Sequence, residues 1–303
     1  MIDFKPIKIE EKEKYQNYLF DNTERGCEYS FTNLFLWGRQ NAAIVDDHIV
    51  LFSQFNRRSI YPYPVGIGDK KSVLDAIIAD ARERGISCRI TGLNAEQQQT
   101  LETLYPGMFR FHCDRDSFDY VYAIDDLADL PGRKYQKKRN HCNRFRTDYP
   151  DYTVCPLDKT NLPLVQKLAD SWYEAKVQEN PKSDFLMERT ALNKAIKYYE
   201  ELGMEGLALF NNDEILGFTM GSQLSSDIFD IHFEKAHGDI NGAYAIINYE
   251  FARYLREKYP DVLYLNREDD MGIEGLRIAK ERYFPHHMIE KSWAHLMEEG
   301  YEY

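Results

Sequence analysis

Little in this chain of 303 residues is placed to cross-link it, to anchor it in a bilayer or to wrap it round nucleic acid. The cysteines are few: Cys27, Cys88, Cys113, Cys142 and Cys155 are scattered, odd in number, and form no C-x-x-C pair. That argues against a disulfide framework and against a cysteine-based zinc site. No apolar run approaches the ~20 residues that a membrane-spanning helix needs. The start, MIDFKPIKIEEKEKY, has no apolar signal core, which reads as a cytoplasmic protein. Positive charge is outweighed, with 38 Lys and Arg against 50 Asp and Glu and a formal net charge of -12. This balance disfavours a protein that coats nucleic acid and leaves room for a local basic patch. No internal sequence repeat aligns.

What is present describes a packed α/β protein. Hydrophobic residues make up 43% of the chain, and its length suits two ordinary domains. In the first half, helical patterns at 11–20, 29–37, 71–84 and 95–104 alternate with extended runs. Apolar residues on both sides of Asp46-Asp47 predict a hairpin. In the second half a strand at 152–154 precedes helices at 162–176 and 185–202. Strands follow at 206–210, 215–220 and 228–233, then helix, strand, helix, and a last strand near 288–294. Asn211-Asn212-Asp213 suits a tight hairpin, because Asn and Asp tolerate left-handed backbone. The order β-α-α-β-β-β-α-β-α-β is clear here and looser in the first half. It predicts two copies of one α/β unit, joined near 130–150.

The second half holds the residues with chemical promise. A strand-like run (Ile228, Phe229, Ile231, Phe233) ends in Glu234-Lys235. A polar loop containing Gly238 and Gly242 leads into a helical pattern at Ala245, Ile246, Asn248, Tyr249, Ala252 and Leu255. A helix N-terminus offers N–H groups without internal partners and the positive end of the helix dipole, so this loop suits a phosphate. The competing reading is an ordinary turn in which Gly242 lets backbone elements pack closely. A second strand runs into Asn266-Arg267-Glu268-Asp269-Asp270. Its acids either bind magnesium or an ammonium group, or sit in the first turn of a helix and favour its dipole. Arg267 suits a carboxylate or phosphate. His286-His287 are adjacent on an extended segment and should face opposite ways, which argues against a shared metal. The most biased stretch holds Arg133, Lys134, Lys137, Lys138, Arg139, Arg144 and Arg146, with His141. It is either a polyanion site, for a tRNA acceptor stem or the phosphates of coenzyme A, or a solvated helix linking two domains.

Three motifs carry a resemblance: RKYQKKRNHCNRFRTDYPDY at 133–152, HFEKAHGDINGAYAIINYEFA at 232–252 and YLNREDDMGIEGLRIAKERYFP at 264–285. With the order of elements, they resemble the C-terminal domain of phosphatidylglycerol lysyltransferases, within the acetyltransferase-like (GNAT) fold. The resemblance implies an α/β (α+β) chain with two tandem GNAT-like domains, each a mixed, mostly antiparallel sheet flanked by helices. The expected layout is a first domain over 1–130, a basic linker helix over 131–150, and a domain with the donor site over 151–303; the first is read as degenerate because no glycine loop before its Lys71 helix matches that of the second, although Gly66 and Gly68 come close. Members of that family, like the Fem peptidoglycan ligases, take an aminoacyl group from charged tRNA; simpler members of the fold use coenzyme A. The lysyltransferases carry a long membrane-spanning region before this unit. These 303 residues hold none, which counts against a lipid acceptor.

Mapped onto that fold, the donor arm lies where the fourth strand splays from the fifth. Coenzyme A or an acyl-CoA would then meet Lys235, Asn241, Gly242, Ala243, Tyr244, Asn266 and Arg267. The loop lacks the basic residue usual at its start, and Asp239 opposes a phosphate. Glu234 would act as general base toward an amine, or else form an ion pair with Lys235 or Arg267. Tyr283 would protonate the leaving group, or else be a packed aromatic. The polyanion site would use Arg133, Lys134, Lys137, Lys138 and Arg139, and no metal is expected. The reading is an acyl- or aminoacyltransferase acting on a small-molecule or peptide amine, or a hydroxyl. Its rivals are a ligand-sensing module without catalysis and an RNA-associated protein.

Overall fold

The structure is a computed structural model that describes residues 1–20, 26–55, 58–179 and 185–297. The chain forms two compact units. Of the described residues, the first takes those of Met1–Asp119, Asp269–Arg277 and 288–297; the second takes those of Tyr120–Glu268 and Ile278–His287.

The first unit contains β1 (Lys5–Pro6), α1 (Lys12–Leu19), α2 (Phe31–Trp37), β2 (Gln40–Val45), β3 (His48–Phe55), β4 (Arg58–Pro62), β5 (Val65–Gly66), α3 (Lys70–Arg84), β6 (Arg89–Leu93), α4 (Ala95–Leu104) and β7 (Phe109–Cys113). Asp69 caps α3, its carboxylate accepting from the amides of Lys71 and Ser72, and Gly85 ends the helix in left-handed conformation. Val73, Leu74, Ile77, Ile78 and Ala81 of α3 pack with Val50, Tyr61 and Ile90 from the sheet.

The second unit contains β8 (Asp119–Ala123), α5 (Ile124–Asp129), α6 (Gln136–Asp148), β9 (Tyr152–Pro156), α7 (Leu162–Glu179), α8 (Leu186–Lys197), α9 (Tyr199–Leu202), β10 (Glu205–Asn211), β11 (Glu214–Gln223), β12 (Ile228–Ala236), α10 (Ala243–Lys258) and β13 (Tyr264–Asn266). The chain ends with α11 (Glu274–Glu281), β14 (His287–Ile289) and β15 (Ser292–Leu296). The sheet order is β14-β8-β13-β12-β11-β10-β9, with β12 and β13 parallel. The β10–β11 hairpin turns at Asn212, with φ 52. Buried residues at Ala245, Ile246, Phe251, Ala252 and Leu255 hold α10 to its neighbours. Each large apolar side chain so buried contributes about 1.5–3 kcal/mol.

Two features differ from the expected layout. The units divide between Asp119 and Tyr120, not at 130, and strands cross over in sequence: β8 joins the second sheet, while the final β15 lies between β6 and β7 in the first. The last strand expected near 288–294 is therefore two strands. The stretch expected as a linker is also different. Helix α6 belongs to the second unit, with Cys142 and Phe145 buried and its side against α10. Two inward residues at helical spacing suffice to dock a helix whose remaining positions are polar.

Candidate active site

Strand β12 pairs with β13 only from Ile228↔Tyr264 to Asp230↔Asn266, then continues to Ala236. Its pairing with β11 slips one residue between Met220↔Phe233 and Gly221↔Ile231, leaving His232 as the extra residue of a bulge. A bulge bends and twists its strand, consistent with the two parallel strands parting here. Glu234 stands four residues past the last β12–β13 pair. Arg267, the residue after β13, bridges back: its Nη2 donates to Glu234 Oε1 at 2.8 Å. Asn248 Nδ2 on α10 donates to Glu234 Oε2 at 3.2 Å. The pair is largely enclosed, with side-chain exposures of 14% for Arg267 and 11% for Glu234. Of the two partners the sequence allowed for Glu234, the structure selects Arg267. Lys235 points to the other side of the strand, as alternation requires. Its Nζ donates to Glu188 Oε1 at 2.8 Å and lies 3.7 Å from the Trp172 ring centroid.

The Tyr283 ring is buried beside two cations. The Lys138 ammonium lies 3.3 Å from its centroid and the Arg267 guanidinium 5.0 Å. Tyr122 meets the ring edge-on at 6.4 Å and donates its hydroxyl to the Lys280 carbonyl at 2.8 Å. The Tyr135 hydroxyl donates to the carbonyl of Tyr283 at 2.9 Å. Burial pushes the Tyr283 phenol well above its ordinary value, with Arg267 opposing, so the proton is firmly held. Burial pushes the Lys138 ammonium down to about 8, and the charge of Arg267 acts in the same direction. Two basic side chains, Lys138 and Arg267, thus stand with the single carboxylate of Glu234 at this centre.

Three buried polar atoms here have no hydrogen-bond partner among the described residues: Arg267 Nη1, Asn248 Oδ1 and Thr219 Oγ1. Thr219 is the residue directly opposite Glu234 on β11, so both side chains share one face of the sheet. Each such atom costs roughly 1–3 kcal/mol if left unsatisfied. Thr219, Asn248 and Arg267 each adjoin Glu234, so two donors and one acceptor without partners belong to side chains beside one carboxylate.

The profile of the family described as phosphatidylglycerol lysyltransferase, C-terminal, matches residues 21–295. The chain belongs to this family. A conserved protein of unknown function from Bacteroides thetaiotaomicron is similar at 38% identity, with 98% of this chain and 100% of that one covered and a TM-score of 0.92. L-PGS from Bacillus licheniformis is similar in fold at 15% identity, covering 96% of this chain and 93% of that one with a TM-score of 0.69. A tandem GNAT protein from the clavulanic acid biosynthesis pathway shares the fold at 8% identity, covering 97% and 98% with a TM-score of 0.51. Among curated proteins, an uncharacterised one from Mycoplasmoides gallisepticum is 26% identical over 179 residues, 58% of this chain. The match spans about half of that relative, 55% of its length. Two tandem acyltransferase-like units, each a mixed and mostly antiparallel sheet flanked by helices, are therefore this family member's architecture.

In this family member the loop before α10 is packed against α6. Gly242 has φ 87, and a Cβ there would run into the carbonyl oxygen of His141 and stand 3.1 Å from Phe145 Cβ. Asn241 Oδ1 meets His141 Nδ1 at 3.2 Å. The Ala243 amide donates to the Ile240 carbonyl at 3.3 Å, and the Tyr244 hydroxyl accepts from Trp172 Nε1 at 3.0 Å. Asn266 is buried and accepts from the Glu268 amide at 2.8 Å, holding Glu268 at φ 57. The Lys280 ammonium donates to the carbonyls of Arg267 and Glu268, which fixes the end of β13.

The basic residues separate into distinct roles. Lys138 turns inward to Tyr283. Lys134 pairs with Asp126 at 3.1 Å, and Arg139 donates to the carbonyls of Leu130 and Gly132. Arg144 pairs with Asp148 at 3.4 Å and Arg146 with Glu250 at 3.3 Å. Arg133 and Lys137 are exposed to solvent. The acids after β13 are divided as well: Asp270, in the first unit, is held by Arg277 at 2.8 Å and Arg115 at 3.4 Å.

Sequence reasoning missed several groups. His232 Nε2 meets Ser222 Oγ at 2.8 Å and Nδ1 meets Glu268 Oε1 at 3.2 Å; nothing in local spacing joins these three residues. The same holds for Thr219, Asn248 and Tyr122. The argument from His286 and His287 also needs correction. Their Nδ1 atoms lie 2.9 Å apart, because β14 begins only at His287, after Phe284 turns the chain at φ 54. The sets of three candidate ligands among the described residues lie elsewhere: Cys27, Glu28 and Asp119, and Asp230, His232 and Glu268. In the first set the Lys291 ammonium stands 2.7 Å from Asp119 and 2.6 Å from Glu28.

Proposed function

We propose that the second unit transfers an aminoacyl group from an activated ester to a hydroxyl or amine acceptor. The observation that carries this reading is the Glu234–Arg267 pair, set where β12 and β13 part and ringed by unsatisfied Arg267 Nη1, Thr219 Oγ1 and Asn248 Oδ1. In such a reaction the acceptor attacks the acyl carbon while Glu234 takes its proton. Arg267 Nη1 and the Thr219 hydroxyl donate to the carbonyl oxygen as it gains charge, and being fixed in advance they need little reorganisation. Asn248 Oδ1 and the carboxylate suit the α-amine of an aminoacyl group. The family's name supports lysyl transfer, with phosphatidylglycerol as the first acceptor to test. No described helix is long and apolar enough to cross a membrane.

A tRNA ester fits as donor better than coenzyme A for a structural reason. Helix α6 lies against Asn241 and Gly242, the loop on which a pyrophosphate would rest, while Arg133 and Lys137 remain open to a nucleic-acid backbone. The test is acceptor-dependent loss of label from radiolabelled aminoacyl-tRNAs, run beside acetyl-CoA, with phosphatidylglycerol vesicles and simple amines as acceptors. Loss from neither donor above the spontaneous rate ends the transferase reading. A raised melting midpoint without turnover would instead favour a sensing module. Charge reversal of Arg133 and Lys137 together should also lower the slope of log affinity for tRNA against log salt by roughly 1.5, from two fewer phosphate contacts. An unchanged slope would remove these two residues from the tRNA interface.

A further inference from the structure

We propose that Lys138 is a catalytic residue of this site: its ammonium gives the leaving group its proton when the tetrahedral intermediate collapses. The inference rests on the transfer reading above and adds the second half of its proton traffic. The composition of α6 presents Lys138 as one of several phosphate-binding cations, but its position sets it apart. It shares the helix's inward side with Cys142 and Phe145, at spacings of four and three residues. Its Nζ stands 3.3 Å from the Tyr283 centroid and forms no ion pair among the described residues, whereas Lys134 and Arg146 on the same stretch do. The side chain is half-buried, and it shares the Tyr283 ring with Arg267, the partner of the enclosed Glu234. The charged and titratable groups acting on it are Arg267, Glu234, Arg282 and Cys142, with the Tyr283 phenol in direct contact. Burial and Arg267 bring the ammonium to about 8, which makes it a far better proton donor near neutral pH than an ordinary lysine.

The step balances without an oxidant or a further reactant. The acceptor's lone pair forms the new bond to the acyl carbon, and the acceptor's proton passes to Glu234. The bond from the acyl carbon to the leaving oxygen then breaks, its electron pair staying on that oxygen. One Nζ–H proton of Lys138 goes to it, giving a neutral alcohol and a neutral amine. Solvent returns a proton to Lys138 and removes one from Glu234, so the net change is one proton moved from acceptor to leaving group. The Tyr283 ring holds the ammonium in place through its π face.

Single-turnover transfer is measured from pH 6 to pH 9.5 in the full chain, with the labelled aminoacyl-tRNA that the wild type consumes. Wild-type transfer should fall as pH rises through about 8. Lys138→Met should lower the rate roughly 10²-fold or more and abolish that limb, with tRNA affinity little changed. Lys138→Arg keeps the charge without titrating and should also lose the limb. Tyr283→Phe keeps the ring face and should retain the limb. Reductive ¹³C-methylation gives an independent readout: one dimethyl-lysine resonance should titrate near 8 and vanish in Lys138→Met. Transfer within threefold of wild type by a folded Lys138→Met, or an unchanged alkaline limb in it, overturns the assignment and leaves the transferase reading intact. If the wild type consumes no donor, both fall together. If Tyr283→Phe alone abolishes transfer while Lys138→Met does not, the tyrosine is the donor.

Discussion

Glu234→Gln should reduce acceptor-dependent transfer by about 10²–10⁴-fold while donor binding stays close to wild type. The substitution keeps the side chain's size and its ability to accept from Arg267, and removes the carboxylate proposed to take the acceptor's proton. It also leaves the enclosed Arg267 cation without its counter-charge, so some stability is lost. Removing one partner of a buried pair typically costs about 3–5 kcal/mol, and the amide oxygen that remains should keep the loss at the lower end. Urea unfolding therefore accompanies the kinetics, with both done where the variant is fully folded. A folded Glu234→Gln protein that transfers at the wild-type rate would show that the carboxylate serves Arg267 and Asn248 alone. The double variant Glu234→Leu with Arg267→Met supplies the matching control. It should recover much of the stability lost by either single change, because no charge is left buried alone, and it should not recover transfer.

Gly242→Ala should destabilise the protein by roughly 3 kcal/mol. Left-handed backbone costs a residue with a Cβ roughly 1–2 kcal/mol, and the new methyl meets a second obstacle in this fold. It would enter the space held by the His141 carbonyl oxygen, close to Phe145 Cβ. Neither neighbour is the free end of a flexible chain, so α6 must move away from the start of α10. Because α6 carries Lys138, the shift should also weaken the stack on Tyr283, and any transfer activity should fall with stability. Thermal unfolding with both variants in parallel checks this: Gly238→Ala, at a glycine whose Cβ would meet nothing within 4 Å, should be close to neutral. Equal melting midpoints for the two variants would contradict the packing role of Gly242.

Much of the architecture was legible in the residues. The hairpin at Asn212, the buried stripe of α10, the glycine before it and the strand that carries Glu234 follow from patterns within a few neighbours, and local backbone preference and side-chain periodicity are encoded at that range. The three motifs that resemble the phosphatidylglycerol lysyltransferase C-terminal domain fall inside the matched region, 21–295. The site was half visible: Glu234, Arg267 and Tyr283 do come together, but Thr219, Asn248 and Tyr122 around them gave no local sign.

Tertiary structure alone decided the rest. A β-strand's backbone hydrogen bonds are the same for every residue, so nothing in the segment 119–123 says that it joins β13, or in 292–296 that it lies between β6 and β7. Lys138 resembles its basic neighbours in composition, and only the docking of Cys142 and Phe145 turns it toward Tyr283. Glu234 and Lys235 are adjacent in sequence yet meet different partners, because strand alternation separates their side chains and the parting of β12 from β13 leaves Arg267 to close the gap. The sequence by itself determined most of the elements and the family; which cation faces the candidate site, and which sheets β8 and β15 complete, depend on contacts between residues more than a hundred positions apart.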